Sequence, residues 1–503
     1  MNYQKISSKD TSSDSIIISF FICLLIILVL LQISEQLIHW FLLPVALSGI
    51  LIGTDAINWL RGRLNTFDPI GLLGLFGFHF FFLAPLLNVS LDYWLEPWYV
   101  PPSDWRPWLG CMAIFNLLGI LVYRFARGNS LYLSEREPKN SKSWKINQKR
   151  TLPIICFALI FSAVLQISIY QSFGGLENYI SAATDLSTKN AGSQFAGMGF
   201  LFMFSESFPV LAMIGFAIYS QKHKNLRSWP VLLIALVIFF ILQILFGGLR
   251  GNRSNTLWGL FWALGIIHFW IRPISKKGIV SALVVIFFFL YLYSFFKEAG
   301  LKGIEIAIIG SQEERINFQE NTGRTWESVV LDDLGRASIQ AFLLYRIMRY
   351  NSDYEFAWGR TYFADVSILV PKSIWPKKPP DKYLDGIRAE SGLLPEQYDP
   401  NDWISSKVYG LAGESMLNFG PFSIPFFFIV PGIITRVVRC YVFSWKFPDS
   451  RLLILPLLIN LCFLCLMNDL DIIIFFIVKN GVFPGLILFA VSDREINMVK
   501  PNT

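Results

Sequence analysis

Two arginines and one glutamate carry the clearest chemical promise in this chain. The stretch Phe246-Gly-Gly-Leu-Arg-Gly-Asn-Arg-Ser-Asn255 lies between two apolar runs, 230–245 and 257–271. A guanidinium grips phosphate through two parallel hydrogen bonds, and neighbouring glycines let the backbone approach a ligand. Arg250 and Arg253 therefore read as an anion-binding pair. The plainer alternative is two arginines snorkelling from helix ends to the membrane surface. Glu414 stands in Tyr409-Gly-Leu-Ala-Gly-Glu-Ser-Met-Leu-Asn-Phe-Gly-Pro421, shortly before a Gly-Pro break. A carboxylate at the water–membrane boundary is suited to general-base work, or it simply reaches water from a helix end.

The elements that position these residues are membrane helices. The 503 residues are 54% hydrophobic and 16% aromatic, with mean hydropathy +0.49, and a soluble protein would expose far too much of this apolar sequence. The spacing predicts an all-α polytopic membrane protein of about twelve spans, near 16–33, 40–60, 69–91, 108–125, 152–170, 197–219, 229–247, 256–271, 279–296, 419–442, 452–468 and 472–491. The net charge of +7 is spread over short loops, as topology requires, and is no signal for nucleic acid. Basic residues precede the first span and follow the second, fourth, sixth, eighth, tenth and last, which puts both termini in the cytoplasm. The hinge holding Arg250 and Arg253 then faces outward, against the charge rule. Lys189, in another outward loop, adds a third positive charge there.

The chain divides into a bundle of about nine helices over 1–296, a large extracytoplasmic loop over 297–407, the last helices over 408–491, and a cytoplasmic tail over 492–503. A loop of roughly a hundred residues exceeds ordinary connectors and is usually functional. Within it, 326–350 has a helical pattern in which Asp332 and Arg336 form an i,i+4 pair, and 359–371 is apolar but too short to span. Two charges lie inside the membrane, Glu206 and Lys479, and pairing with each other is the economical arrangement. Asp469 and Asp471 are expected in solvent at the outer end of the last hairpin. Phe173-Gly-Gly-Leu176 predicts a turn leading into a short helix.

The six cysteines lie in or against apolar runs, which argues against a disulfide framework. Four histidines, no HExxH and no Cys/His metal spacing give no reason to expect a metal. The phosphate-cradling GxxxxGK[ST] is missing as well, so neither a cofactor nor ATP-driven transport is expected.

Four short segments carry a family likeness: Phe173-Gly-Gly-Leu176, Gly251-Asn-Arg-Ser254, Pro371-Lys-Ser-Ile-Trp-Pro-Lys-Lys-Pro379, and Gly413-Glu414 followed by Asn418-Phe-Gly420. With this layout the chain resembles the bacterial O-antigen and exopolysaccharide repeat-unit polymerases (Wzy-type), distant relatives of the O-antigen ligases. Arg324 and Gly335 also fit an Arg-x10-Gly spacing described for some members.

The resemblance implies metal-independent, inverting glycosyl transfer on the outer face of the plasma membrane. Donor and acceptor would both be oligosaccharides on undecaprenyl diphosphate, with a flippase and a chain-length regulator nearby. Arg253 and Arg250 would stabilise the leaving diphosphate, and Glu414 would deprotonate the acceptor hydroxyl. Arg324, Arg336, Arg360 and Lys378 would contact donor phosphate or sugar. The large loop lacks a ligase-type histidine, which favours polymerase over ligase. A transporter of lipid-linked glycan and a ligase-type transferase are the competing readings.

Overall fold

Apolar sequence becomes helix throughout, because a segment in lipid must satisfy its own backbone hydrogen bonds. The computed structural model describes residues 12–95, 100–128, 143–184, 195, 198–250, 253–349, 354–370, 374–379, 382–392 and 407–495. It is 79% helical with almost no sheet, which makes the class all-α. Among the described residues ten helices are long and apolar enough to cross a membrane. They are Ser13–Ile33, Leu42–Leu60, Pro69–Ser90, Arg106–Arg127, Gln148–Ser172, Gly199–Ser220, Trp229–Phe246, Lys276–Ile308, Pro421–Ser444 and Leu470–Ala490. The protein is a multi-pass membrane protein. Two further apolar runs are also helical. Arg253–Ile266 continues through a π-helical turn, Ile267–Ile271, and Leu455–Met467 is short.

Helix ends follow local chemistry. Asp68 accepts from Ile70 N at 3.0 Å just ahead of Pro69, and Asn147 accepts from Lys149 N at 3.0 Å. Ser311 and Glu314 form a reciprocal capping box. Gly174 and Gly175 both take positive φ, making the turn expected from Phe173-Gly-Gly before the helix Leu176–Thr184. The helix Lys276–Ile308 runs past the expected end near 296, across a kink at Ala299 and Gly300. The expected helix over 326–350 is interrupted: a π-helical turn, Ser328–Asp333, precedes the α-helix Ala337–Arg349. Gly335 sits against Leu331 O, where a Cβ would lie 2.3 Å away, so the chain is already tightly wound at the break.

The chain forms two compact units. The first comprises Met1–Leu131, Thr325–Arg439 and Cys462–Ile474. Its core gathers Phe41, Val45, Phe82, Leu86, Leu109 and Ala341. Two buried ion pairs tie its helices, Arg127–Asp55 at 2.9 Å and Arg439–Asp68 at 3.0 Å. In the aromatic stretch before the fourth long helix, Trp94 and Trp105 stack with centroids 4.9 Å apart.

The second unit comprises Tyr132–Arg324, Cys440–Leu461 and Phe475–Thr503. Aromatic residues dominate its core, among them Tyr179, Phe202, Tyr293 and Phe296. Strands Ser143–Ile146 and Ser492–Glu495 pair antiparallel, with Ser143 opposite Glu495 and Ile146 opposite Ser492.

Candidate functional site

In the first unit, Glu414 lies on the helix Gly410–Phe419, which Gly420, at φ +80, and Pro421 terminate before the span begins. The carboxyl does not reach water: Glu414 is buried. Its Oε2 accepts from Leu470 N at 2.7 Å and its Oε1 from Thr361 Oγ1 at 3.2 Å. The Asn418 side chain, one turn on, donates to Thr361 Oγ1 at 2.6 Å and to Glu414 O at 2.9 Å. Thr361 belongs to the short helix Arg360–Ser367, whose Asp365 hydrogen-bonds the Glu414 carboxyl. The long connection thus folds back onto the place where the chain re-enters the membrane.

Lys382, from the helix Lys382–Ser391, supplies the ammonium of this cluster. It pairs with Asp469 and, at 2.7 Å, with Asp471. Tyr409 N donates to Asp469 at 3.2 Å, and the Tyr409 hydroxyl donates to Glu390, which Lys407 also faces at 3.7 Å. The expectation that Asp469 is solvated is corrected here. Its exposure is 0%, because Lys382 arrives from the connection and replaces water as its partner. Asp471 keeps 27% exposure and is the wetter of the two.

Four carboxyls, those of Asp365, Glu414, Asp469 and Asp471, therefore share the surroundings of Lys382. Burial opposes the lysine's charge, yet Asp469 and Asp471 hold its pKa above the usual range. Burial, with Asp469 and Asp365 close by, pushes the Glu414 carboxyl well above its ordinary value. Burial likewise raises Asp365, to about 6, and raises Asp469. Asp365 thus gives up its proton close to neutrality, beside a Glu414 carboxyl that holds its own more tightly than an ordinary glutamate. Such a pair titrates as a unit and is matched to proton transfer near pH 7.

Arg360 opens the same short helix. Its guanidinium meets the Asp385 carboxylate, with Nε at 3.2 Å from Oδ2, and its side chain is 45% exposed. Also in the first unit, Arg336 Nη1 donates to Gly335 O at 2.7 Å and Asp333 O at 3.2 Å, and Tyr93 hydroxyl donates to Asp332 at 2.7 Å. Lys378 is half-buried.

In the second unit, Arg250 lies 3.0 Å from Glu206 Oε1, and its guanidinium sits 4.0 Å over the Phe202 ring. Lys479 pairs with the other oxygen of Glu206, as the sequence led us to expect, and Asn255 donates to that oxygen at 3.3 Å. Glu206 occupies the interruption between the helices Gly199–Ser205 and Phe208–Ser220, and Lys479 lies in the π-helical turn Ile477–Val482. A small cavity beside them, lined by Glu206, Gln243, Trp258, Trp262 and Asn480, has room for one water. Arg253 begins the following helix and is half-buried. Arg324 donates to Glu298 at 2.8 Å.

Glu414 and Arg360 are thus brought into one neighbourhood, and Arg250 and Arg253 remain chain neighbours in the other unit. Lys189, Gly251 and Asn252 lie outside the described residues, as do 371–373 of the proline-lysine segment. Sequence reasoning missed Asp365, Lys382 and Thr361. Their signal was weak, since Thr361 and Asp365 are minority polar residues of the apolar segment 359–371 and Lys382 is one of several charges in the polar stretch that follows. Among the described residues no group of three or more His, Cys, Asp or Glu is arranged to hold a metal ion. No family model, no curated protein and no solved structure matches this chain.

Proposed function

We propose that the protein is an oligosaccharide repeat-unit polymerase. In this reading about twelve helices cross the plasma membrane, both termini are cytoplasmic, and the Glu414 cluster works on the outer face. The single observation that supports it best is the convergence of Thr361, Asp365 and Lys382, from the long connection, on Glu414 and Asp469. A polar, proton-exchanging cluster at the head of a membrane helix suits a substrate whose lipid stays in the bilayer and whose sugar lies at its surface.

The transfer is a single displacement. An acceptor hydroxyl oxygen attacks the anomeric carbon, the carbon–oxygen bond to diphosphate breaks, and diphosphate departs with the bonding pair. The hydroxyl proton passes to the Glu414–Asp365 pair. Inversion at the anomeric carbon follows from one displacement. Arg253, from its sequence setting and with Arg250 as its neighbour in the chain, is assigned to binding the diphosphate of a lipid-linked substrate. Arg360 is the further sugar or phosphate contact that directly precedes Thr361, which bonds Glu414.

The test is incubation of the purified protein with a diphospho-polyprenol-linked oligosaccharide, with products resolved on a gel. A ladder from the wild type supports the reading. Failure to form one with a verified cognate repeat overturns it.

Transport of a lipid-linked glycan is the second reading. The observation favouring it is the pair Glu206 and Lys479, each at a helix irregularity within a long apolar helix, since transport sites use broken helices. Substrate flux in proteoliposomes with no covalent product would select it.

A further inference from the structure

The backbone at Trp358 is the least expected geometry in the first unit. Trp358 takes φ +49, a left-handed conformation uncommon for a bulky side chain, and Gly359 follows at φ +90. Three hydrogen bonds to the helix Gly410–Phe419 hold this turn. Ala357 N donates to Leu417 O at 3.0 Å, Trp358 N to Asn418 O at 2.9 Å, and Gly359 N to Asn418 Oδ1 at 2.9 Å. Such strain persists only where the surrounding structure over-determines it, as at functional sites. Here the ring is 74% exposed.

Its aromatic neighbours meet it at steep angles. Phe419 stands 6.1 Å away at 73° and Phe356 6.3 Å away at 88°. Two residues on, the half-exposed Arg360 guanidinium pairs with the Asp385 carboxylate. Next comes Thr361, which bonds Glu414. An exposed indole, a fixed set of charged hydrogen-bonding groups and an acid cluster are therefore linked through four consecutive residues, and Asn418 ties both ends of the linkage.

We propose that Trp358, with Arg360 and Asp385, forms a carbohydrate-binding platform that seats one sugar ring of the substrate beside the Glu414 cluster. The identity of the ligand rests on the polymerase reading. The apolar C–H face of a pyranose stacks on an indole, and its equatorial hydroxyls match the donors of a guanidinium and the oxygens of a carboxylate. A ring anchored in lipid headgroups would need neither a left-handed backbone nor an adjoining ion pair. The bond from Trp358 backbone N to Asn418 O instead sets the position of the residue relative to Thr361 and Glu414, which is what a reacting sugar requires.

The experiment uses the full-length protein in nanodiscs and the lipid-free oligosaccharide released from the donor. Binding of that oligosaccharide and the KM for the lipid-linked donor are measured for wild type, W358G, W358L and W358F. Glycine is at ease at this φ, so W358G keeps the turn and removes only the ring. Stacking predicts that W358G and W358L weaken binding and raise KM about tenfold, while W358F stays near wild type. Equal behaviour of W358L and W358F overturns the platform in favour of an apolar membrane anchor. Unchanged binding by W358G overturns it outright. If the wild type forms no polymer yet binds the free oligosaccharide in a Trp358-dependent way, the polymerase reading fails and the platform stands.

Discussion

The Asn418 amide donates to Thr361 Oγ1 at 2.6 Å, joining a helix at the membrane boundary to a residue 57 positions earlier. Its oxygen simultaneously accepts from Gly359 N. Asn418→Ala removes both links and leaves buried partners unsatisfied, at a cost of about 2 kcal/mol. Thermal unfolding in detergent should record the loss, and polymer length should shorten with it. A variant with wild-type stability would show that the two segments are held together some other way.

Proton linkage at Glu414 and Asp365 gives stability and rate opposite slopes. Asp365 sits at about 6 and Glu414 well above its ordinary value, so the folded protein binds more protons than the unfolded chain above about pH 4. Stability is therefore greatest below the ordinary carboxylate range and falls as pH rises through about 6, by at most about 1.4 kcal/mol per pH unit for each proton. Proton acceptance needs an ionised partner, so transfer should accelerate over the same interval. Unfolding and initial rates measured from pH 4.5 to 8 test both slopes. Asp365→Asn should flatten each of them.

Glu206 answers two cations, Arg250 and Lys479, with side-chain exposure of 2% for Glu206 and 1% for Lys479. Neutralising it strands both, and breaking a buried pair this way costs about 3 kcal/mol. Glu206→Gln should lower the unfolding temperature sharply. Combining it with Lys479→Met should recover part of the loss. A further drop in the double variant would refute this account of the pair.

The two hinge arginines are tested one at a time. Arg250 is engaged with Glu206, so Arg250→Ala should lower stability as well as activity. Arg253→Ala, compared at equal folded amounts, should lower polymerisation roughly a hundredfold, the scale of losing one charge-stabilising donor. Long glycan chains from a well-expressed Arg253→Ala protein would remove Arg253 from the site.

The sequence foretold these features unevenly, for physical reasons. Apolar run length marked the helices, because lipid leaves the backbone few alternatives. The partnership of Glu206 and Lys479 was legible since opposite charges at membrane depth have few other solutions. Glu414 was legible from its position ahead of Gly420-Pro421, but its surroundings were not. Thr361, Asp365 and Lys382 reach it from 53, 49 and 32 residues away in sequence, and no local periodicity encodes such encounters. Asp469 was misread for the same reason: next to an apolar hairpin it looks solvated until Lys382 is placed beside it. The π-helical turns at Ser328–Asp333 and Ile477–Val482 also left no compositional trace.

The pairing of Ser143–Ile146 with Ser492–Glu495 imposes a parity on the chain between them. Two hydrogen-bonded strands lie on one side of a bilayer, so the path from Gln148 to Ala490 must traverse it an even number of times. Six of the long apolar helices lie on that path. If those six cross, the two further apolar helical runs among the described residues, Arg253–Ile271 and Leu455–Met467, must both cross or both stay on one side. Accessibility labelling on either side of one of them thereby settles the other.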